Sequence, residues 1–207
     1  MGLKKPSAQL GLHEVVEREH PRDQAGLLMQ LKDAQAGNRR WAARDLAQYP
    51  ATATTLGEAL LSERDTSVRT ALFTTLAGFA TDDAVNALLP LLRSEDAGLR
   101  NGAIEALTEM PQAVAPRIQS LLHDSDPDVR IFTVNLLAEL RHEQVATWLR
   151  QVLQQESAVN VVAAAIEVMT EVGDLQDVPV LRAVGQRFDD PFVGFAADMA
   201  IERIEAA

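Results

Sequence analysis

Leucine, alanine and valine recur along this chain in blocks, and the blocks themselves repeat. AIEALTEM at 103–110 returns as AIEVMTEV at 165–172, two periods of 31 residues later. AARDLAQYP (42–50) matches AIEALTEMP (103–111) down to the closing proline, and ALFTTLAGF (71–79) and TVNLLAEL (133–140) repeat the pattern. Anchor positions fall at Arg39, Arg69, Arg100, Arg130, Val162 and Gly194, with spacings of 30, 31, 30, 32 and 32. Seven residues after each anchor stand Leu46, Leu76, Leu107, Leu137, Met169 and Ile201. Ten after stand Tyr49, Phe79, Met110, Leu140, Val172 and Ile204. Four after stand Ala43, Phe73, Ile104, Val134, Ile166 and then Asp198. Positions four, seven and ten share one stripe of an α-helix. A second leucine set lies upstream of the anchors: Leu60/Leu61, Leu91/Leu92, Leu121/Leu122 and Leu153. Each repeat therefore predicts two helices, A then B, joined by a tight turn.

The punctuation agrees. Thr81-Asp82-Asp83 predicts a cap for an A helix, and Pro50, Pro111 and Gly173 predict the ends of B helices. Residues 10–20 read as a short amphipathic lead helix closed by Pro21. A pair of about 30 residues cannot bury its apolar stripe alone, so neighbours must stack. The expected fold is all-α: a right-handed or gently curved solenoid of six helix pairs over 23–205, with 1–22 as a lead segment, the whole of 1–207 forming one domain. Asp198 interrupts the stripe only in the last repeat, as a terminal cap requires.

Composition changes the picture little. Apolar residues make up 47% of the 207, aromatics only 4%, and there is no cysteine. Disulfides, thiolate metal sites and a cysteine nucleophile are excluded. No apolar run reaches the roughly 18 residues that span a membrane. The opening residues hold Lys4 and Lys5 with no apolar block behind them, so they do not read as a secretion signal, and a cytoplasmic monomer is expected. Charge says more. The net charge is −11, but residues 1–50 balance at +2 and residues 51–207 at −13. An acidic body repels phosphate backbones, which argues against nucleic-acid binding.

The turn signature D-x-x-V-R followed by A-x-x-A-L, at a period near 30, resembles the HEAT-repeat superfamily. The short period is most similar to the bacterial phycobilisome-lyase type, over roughly residues 24–205. The resemblance implies a solenoid. It leaves function open, because such families include scaffolds, assembly factors, pigment-lyase subunits, a diiron hydroxylase and DNA glycosylases.

HDSDPDVRIF (123–132) begins like a calcium loop. From Asp124, however, position 6 is Val129 and position 12 is Asn135, where such a loop needs Gly and Glu. Its siblings are ERDTSVR (63–69), SEDAGLR (94–100) and FDDPFVG (188–194), so it reads as one copy of the inter-helix turn. Asp65, Asp96, Asp126 and Asp190, four before the anchor, are expected to cap B helices. Val68, Leu99, Val129 and Val193 are expected to plug the core. The anchor arginines are expected to pair with aspartates of their own or a neighbouring turn. Asp124 and Asp128 lack counterparts at most repeats and read as solvated.

His13-Glu14 and His142-Glu143 share the His-Glu pairing of the diiron hydroxylases, but they are out of phase and too few, and no HExxH occurs. The histidines read as solvated, with no metal and no cofactor. GxSxG and phosphate-loop motifs are absent as well. Trp41 with Arg39, Arg40 and Arg44 resembles the basic aromatic face of HEAT-like glycosylases in one repeat only.

Positions one, five and nine after each anchor form a ridge not used in packing. It reads Arg40, Arg44, Gln48; Thr70, Thr74, Gly78; Asn101, Glu105, Glu109; Ile131, Asn135, Glu139; Ala163, Glu167, Glu171; Phe195, Met199, Arg203. In HEAT-like solenoids the B helices usually line the concave face. The expectation is a non-catalytic scaffold that binds another protein, such as a basic helix or peptide, through Arg40, Arg44, Asn101, Glu105, Glu109, Asn135, Glu139, Glu167 and Glu171. The alternative is an accessory subunit of a lyase or cofactor-assembly enzyme, and a DNA glycosylase ranks third. Phe195 and Met199 are expected in the closing core, with an exposed contact patch as the alternative.

Overall fold

The structure is a computed structural model and describes residues 20–206. The expected lead helix and the His13-Glu14 pair lie outside the described residues. Twelve α-helices succeed one another: α1 (Gln24–Gln30), α2 (Ala36–Asp45), α3 (Ala53–Ser62), α4 (Thr66–Phe79), α5 (Asp82–Leu88), α6 (Ala97–Thr108), α7 (Pro111–Leu122), α8 (Pro127–Glu139), α9 (Val145–Gln155), α10 (Val159–Val172), α11 (Val178–Arg187) and α12 (Pro191–Ala206). Consecutive helices pair, and the even-numbered B helices stack α2 on α4, α6, α8, α10 and α12 in order. The odd-numbered A helices form a second layer, with α3, α5, α7, α9 and α11 in sequential contact. The molecule is an all-α solenoid, and among the described residues it has no strand.

The apolar stripe is what holds the layers together. Leu46, Leu76, Leu107, Leu137 and Met169 are fully buried, and Ile201 nearly so. One continuous core runs from Leu27 to Ile204. The stripe is wider than the repeat register suggests, because each inner B helix also packs on both neighbouring B helices. Ala71, Leu72, Ala103, Ala106, Leu136 and Ala165 are therefore buried as well. In the A layer, Leu60 is fully buried while Leu61 beside it is 60% exposed. Asp198 and Val172 are exposed.

The caps obey the turn aspartates. Asp65 accepts the N–H groups of Ser67 and Val68, Asp96 those of Gly98 and Leu99, Asp126 that of Asp128, and Asp190 those of Phe192 and Val193, all at 2.8–3.3 Å. Thr81 caps α5 through the N–H of Ala84. Val68, Leu99, Val129 and Val193 are all buried. Two punctuation marks act differently from expectation. Pro50 and Pro111 do not close B helices. Each instead opens the next element, Pro50 a 3-10 turn and Pro111 helix α7. Proline's missing N–H costs nothing at that first position. The left-handed stop is made by Ala80 after α4, at φ 50°, and not by a glycine.

The arginine ladder uses backbone carbonyls as well as the expected carboxylates. Every anchor arginine donates to the carbonyl six residues before it: Arg39 to Asp33, Arg69 to Glu63, Arg100 to Ser94 and Arg130 to Asp124. This ties the end of helix A to the start of helix B. The side chain at the same position accepts N–H groups of the turn, through Asp33, Glu63, Ser94, Asp124 and Glu156. Asp124 is thus a structural acceptor and not a solvated residue. It also ion-pairs with Arg93. Asp128 is exposed.

The anchors then reach forward to the next turn. Arg39 grips Glu63 with both nitrogens, at 2.7 and 2.8 Å, and Arg130 grips Glu156 at 2.6 and 3.1 Å. Arg69 takes Asp96 at 2.9 Å, because Ser94 offers no charge. Arg100 makes no ion pair among the described residues and lies over the Phe132 ring at 4.9 Å, while Asp124 pairs with Arg93. Glutamate therefore replaces the expected aspartate in two of the three forward ion pairs. Where Val162 lacks a guanidinium, Arg187 of α11 donates to the Glu156 carbonyl at 2.7 Å.

This network predicts the acid response. Hydrogen bonds from Arg39 lower the Glu63 carboxyl most. Burial opposes them, the Asp65 and Arg64 N–H groups add to them, and the result is a pKa of about 2 against an ordinary 4.5. A depressed carboxyl stabilises the fold above its unfolded pKa and loses that contribution as pH falls toward the folded one. Stability is expected to fall between about pH 5 and pH 2, with Glu63 contributing about 3 kcal/mol of the loss. Urea titrations across that range check this, and Glu63→Gln should flatten the slope.

Candidate functional site

The ridge on the B helices is exposed along most of its length. Each of its residues sits at helix positions one, five or nine after an anchor, so helical geometry turns them to the same side. Arg44, Thr70, Thr74, Asn101, Glu105, Glu109, Asn135, Glu139, Glu167 and Glu171 are exposed, while Arg40 and Ile131 are half-buried. Glu105, Glu109, Glu139 and Glu167 make no ion pair among the described residues. Glu171 differs, because Arg203 reaches across from α12 to pair with it at 2.7 Å.

The two ends of the ridge carry different chemistry. At the first pair, the guanidinium groups of Arg40 and Arg44 lie 5.7 and 5.6 Å from the centre of the Trp41 ring. Trp41 is 53% exposed. Its position, two after the anchor, faces the preceding B helix wherever one exists: Phe132 holds the equivalent place and packs on Arg100. Among the described residues α2 heads the B layer, and Trp41 is exposed there. At the last pair, Phe195 and Met199 are 64% and 47% exposed, and Phe192 one turn earlier is 63% exposed. This corrects the expected closing core. The interior face of α12 is filled by Val193, Ala197, Ala200, Ile201 and Ile204, which leaves Phe195 and Met199 on the ridge. Their helical phase, one and five after Gly194, pointed them outward with the rest of the ridge, and only their apolar character favoured the core.

Between these ends the ridge is indented. A groove of about 1120 Å³ runs between α4 and α6 and reaches α8. Thr70, Phe73, Thr74, Ala77 and Gly78 line one wall, Asn101, Gly102, Glu105, Ala106 and Glu109 the other, and Glu139 of α8 also lines it. A smaller hollow of about 250 Å³ lies between α2 and α4, with Arg44, Thr70, Thr74 and Gly78 in its lining. The sequence placed the groove's carboxylates on a ridge. It held no sign of the hollow, which depends on side chains too small to fill it.

The remaining candidates are structural. His142 stacks on Trp148 with ring centres 5.1 Å apart, so it is half-buried and not solvated as expected. His123 lies on the surface with its Nδ1 2.8 Å from the Gln119 carbonyl. Among the described residues, no three His, Asp or Glu side chains converge as a metal site. No described helix is long and apolar enough to cross a membrane.

The family comparison supports the repeat architecture. The family described as HEAT repeats matches residues 53–117 and 114–202. A search of the curated proteins returned no match. Among solved structures, the chain is similar to human deoxyhypusine hydroxylase in complex with glycerol, at 16% identity and a TM-score of 0.46, covering 88% of this chain and 84% of that one. It is similar to a designed armadillo repeat protein at 17% identity and a TM-score of 0.39, covering 86% and 98%. The complex of CpcE and CpcF of phycocyanin lyase from Nostoc sp. PCC7120 aligns at 15% identity and a TM-score of 0.37, covering 91% and 99%.

Proposed function

The chain belongs to the HEAT-repeat family, and from that premise we propose that it is a non-catalytic scaffold that binds a basic helix or peptide of another protein along its B-helix ridge. The observation that carries this reading is the row Glu105, Glu109, Glu139 and Glu167, exposed on successive B helices and without ion-pair partners among the described residues. Glutamate is a good exposed-helix residue, so its presence alone says little. Its alignment along an indented ridge, and between ends of different character, is what favours binding. Large apolar side chains exposed together mark contact surfaces, and Phe192, Phe195 and Met199 stand at the end of the acidic row. A basic amphipathic segment would meet both features.

The mechanism is a preformed surface. A stacked solenoid holds its ridge rigid, so little ordering cost falls on the scaffold. The carboxylates raise the rate of encounter and set orientation, while apolar contact at α12 slows release. The same charges disfavour a nucleic-acid partner. The test is capture of a partner by the immobilised chain, compared with a Glu105→Lys/Glu139→Lys/Glu167→Lys variant. Capture that is lost in the variant and weakened by salt supports the reading. Equal capture by both would overturn it.

A further inference from the structure

The groove between α4 and α6 is wide because its walls lack side chains. Gly78 ends one wall, and a Cβ built there meets nothing within 4 Å. On the facing helix, a Cβ at Gly102 would stand 2.3 Å from the Phe73 ring. Phe73 therefore lies down over Gly102 and forms an apolar floor, continued by Ala77 and Ala106. Above this floor stand Glu105, Glu109 and Glu139, three exposed carboxylates around one opening. Thr70 and Thr74 turn their hydroxyl hydrogens back to their own helix, at 2.9 and 2.8 Å from carbonyls. Their oxygens remain as acceptors only. The groove thus offers an apolar floor and an acceptor-rich rim, with Arg69 drawn off to Asp96 at 2.9 Å.

We propose that this groove is the anchor pocket of the ridge and takes a basic segment of the partner through one arginine or lysine side chain. The aliphatic stem lies on Phe73 and Ala77 and the cationic head meets Glu105, Glu109 and Glu139. Long basic side chains divide in this way between apolar surface and water. The volume, about 1120 Å³, leaves room for the backbone that carries the side chain. The pocket sets the register of the bound segment, which a uniform row of charge does not.

This inference rests on the proposed reading of the ridge, and its test separates the two. The full chain, labelled with ¹⁵N, is titrated with N-acetyl-arginine amide and with its neutral isostere N-acetyl-citrulline amide. Saturable amide shifts at Gly78, Gly98, Asn101 and Gly102 are expected from the arginine probe and not from the citrulline probe. Gly78→Leu should abolish them while the melting temperature holds or rises, since leucine favours a helix over glycine. The shape-preserving variant Glu105→Gln/Glu109→Gln/Glu139→Gln should weaken the probe by about tenfold. Shifts of equal size around Glu167, or shifts that survive Gly78→Leu, would overturn the pocket. A lysine-rich helical peptide that binds wild type and Gly78→Leu alike, yet fails on the lysine-reversed ridge, overturns the pocket and leaves the ridge reading intact. If neither probe nor peptide binds, both fall.

Discussion

Leu60→Ala is expected to lower the free energy of unfolding by about 3 kcal/mol, while Leu61→Ala, one residue on, costs under about 1 kcal/mol. Leu60 is fully buried between the A and B layers, and Leu61 is 60% exposed. Truncating the first removes its transfer energy and leaves a cavity that a stacked helix pair closes only in part. Truncating the second removes contact with water. A loss of about 3 kcal/mol is a large part of the roughly 5–15 kcal/mol that ordinarily holds a domain together. Urea unfolding of the two variants is the check. Equal losses would mean that α3 is rotated out of this register.

The second large effect is expected at the ladder. Arg130→Met should cost about 2–3 kcal/mol, because it leaves the Glu156 carboxylate without its countercharge. The side chains of Arg130 and Glu156 are only 15% and 9% exposed. Burial alone would push the Glu156 carboxyl up, but Arg130 and the N–H groups of Ala158 and Ser157 overcome it and hold it below its ordinary value. Arg130 also binds the Asp124 carbonyl at 2.8 Å, so its loss loosens the turn between α7 and α8. Removing both charges should be gentler than removing one. In the cycle of Arg130→Met, Glu156→Met and the double variant, a coupling of about 1 kcal/mol or more is expected. Additive losses would contradict the ladder as a load shared between repeats.

Much of this architecture was legible in the amino-acid pattern alone. The 30–32 residue spacing, the stripe through Leu46, Leu76, Leu107 and Leu137, and the caps at Asp65, Asp96, Asp126 and Asp190 all depend on chemistry that recurs in identical form. What escaped was chemistry that recurs in changed form. The acceptor six residues before the anchor is aspartate, glutamate or serine, so it looked like noise and Asp124 looked solvated. Arg187 replaces a missing anchor from another helix altogether, which no in-phase comparison reveals. Leu60 and Leu61 are the same residue type, and only helix rotation tells them apart. Phe195 and Met199 misled in the opposite direction, as apolar residues at positions that the last helix leaves in water. The acidic ridge was legible because exposure follows from helical phase. Its groove was not, since it depends on the missing side chain of Gly78 and on Phe73 lying down over Gly102.

On the proposed reading, the ridge recognises positive charge at defined positions. Fluorescence anisotropy of a labelled lysine-rich amphipathic helical peptide, titrated with the full chain at low and at physiological salt, measures it most directly. Wild type is predicted to bind with an affinity that falls as salt rises. The Glu105→Lys/Glu139→Lys/Glu167→Lys variant, with an unchanged melting curve, is predicted to lose about 100-fold, or about 3 kcal/mol over three reversed contacts. A variant that binds the peptide as tightly as wild type would contradict that claim.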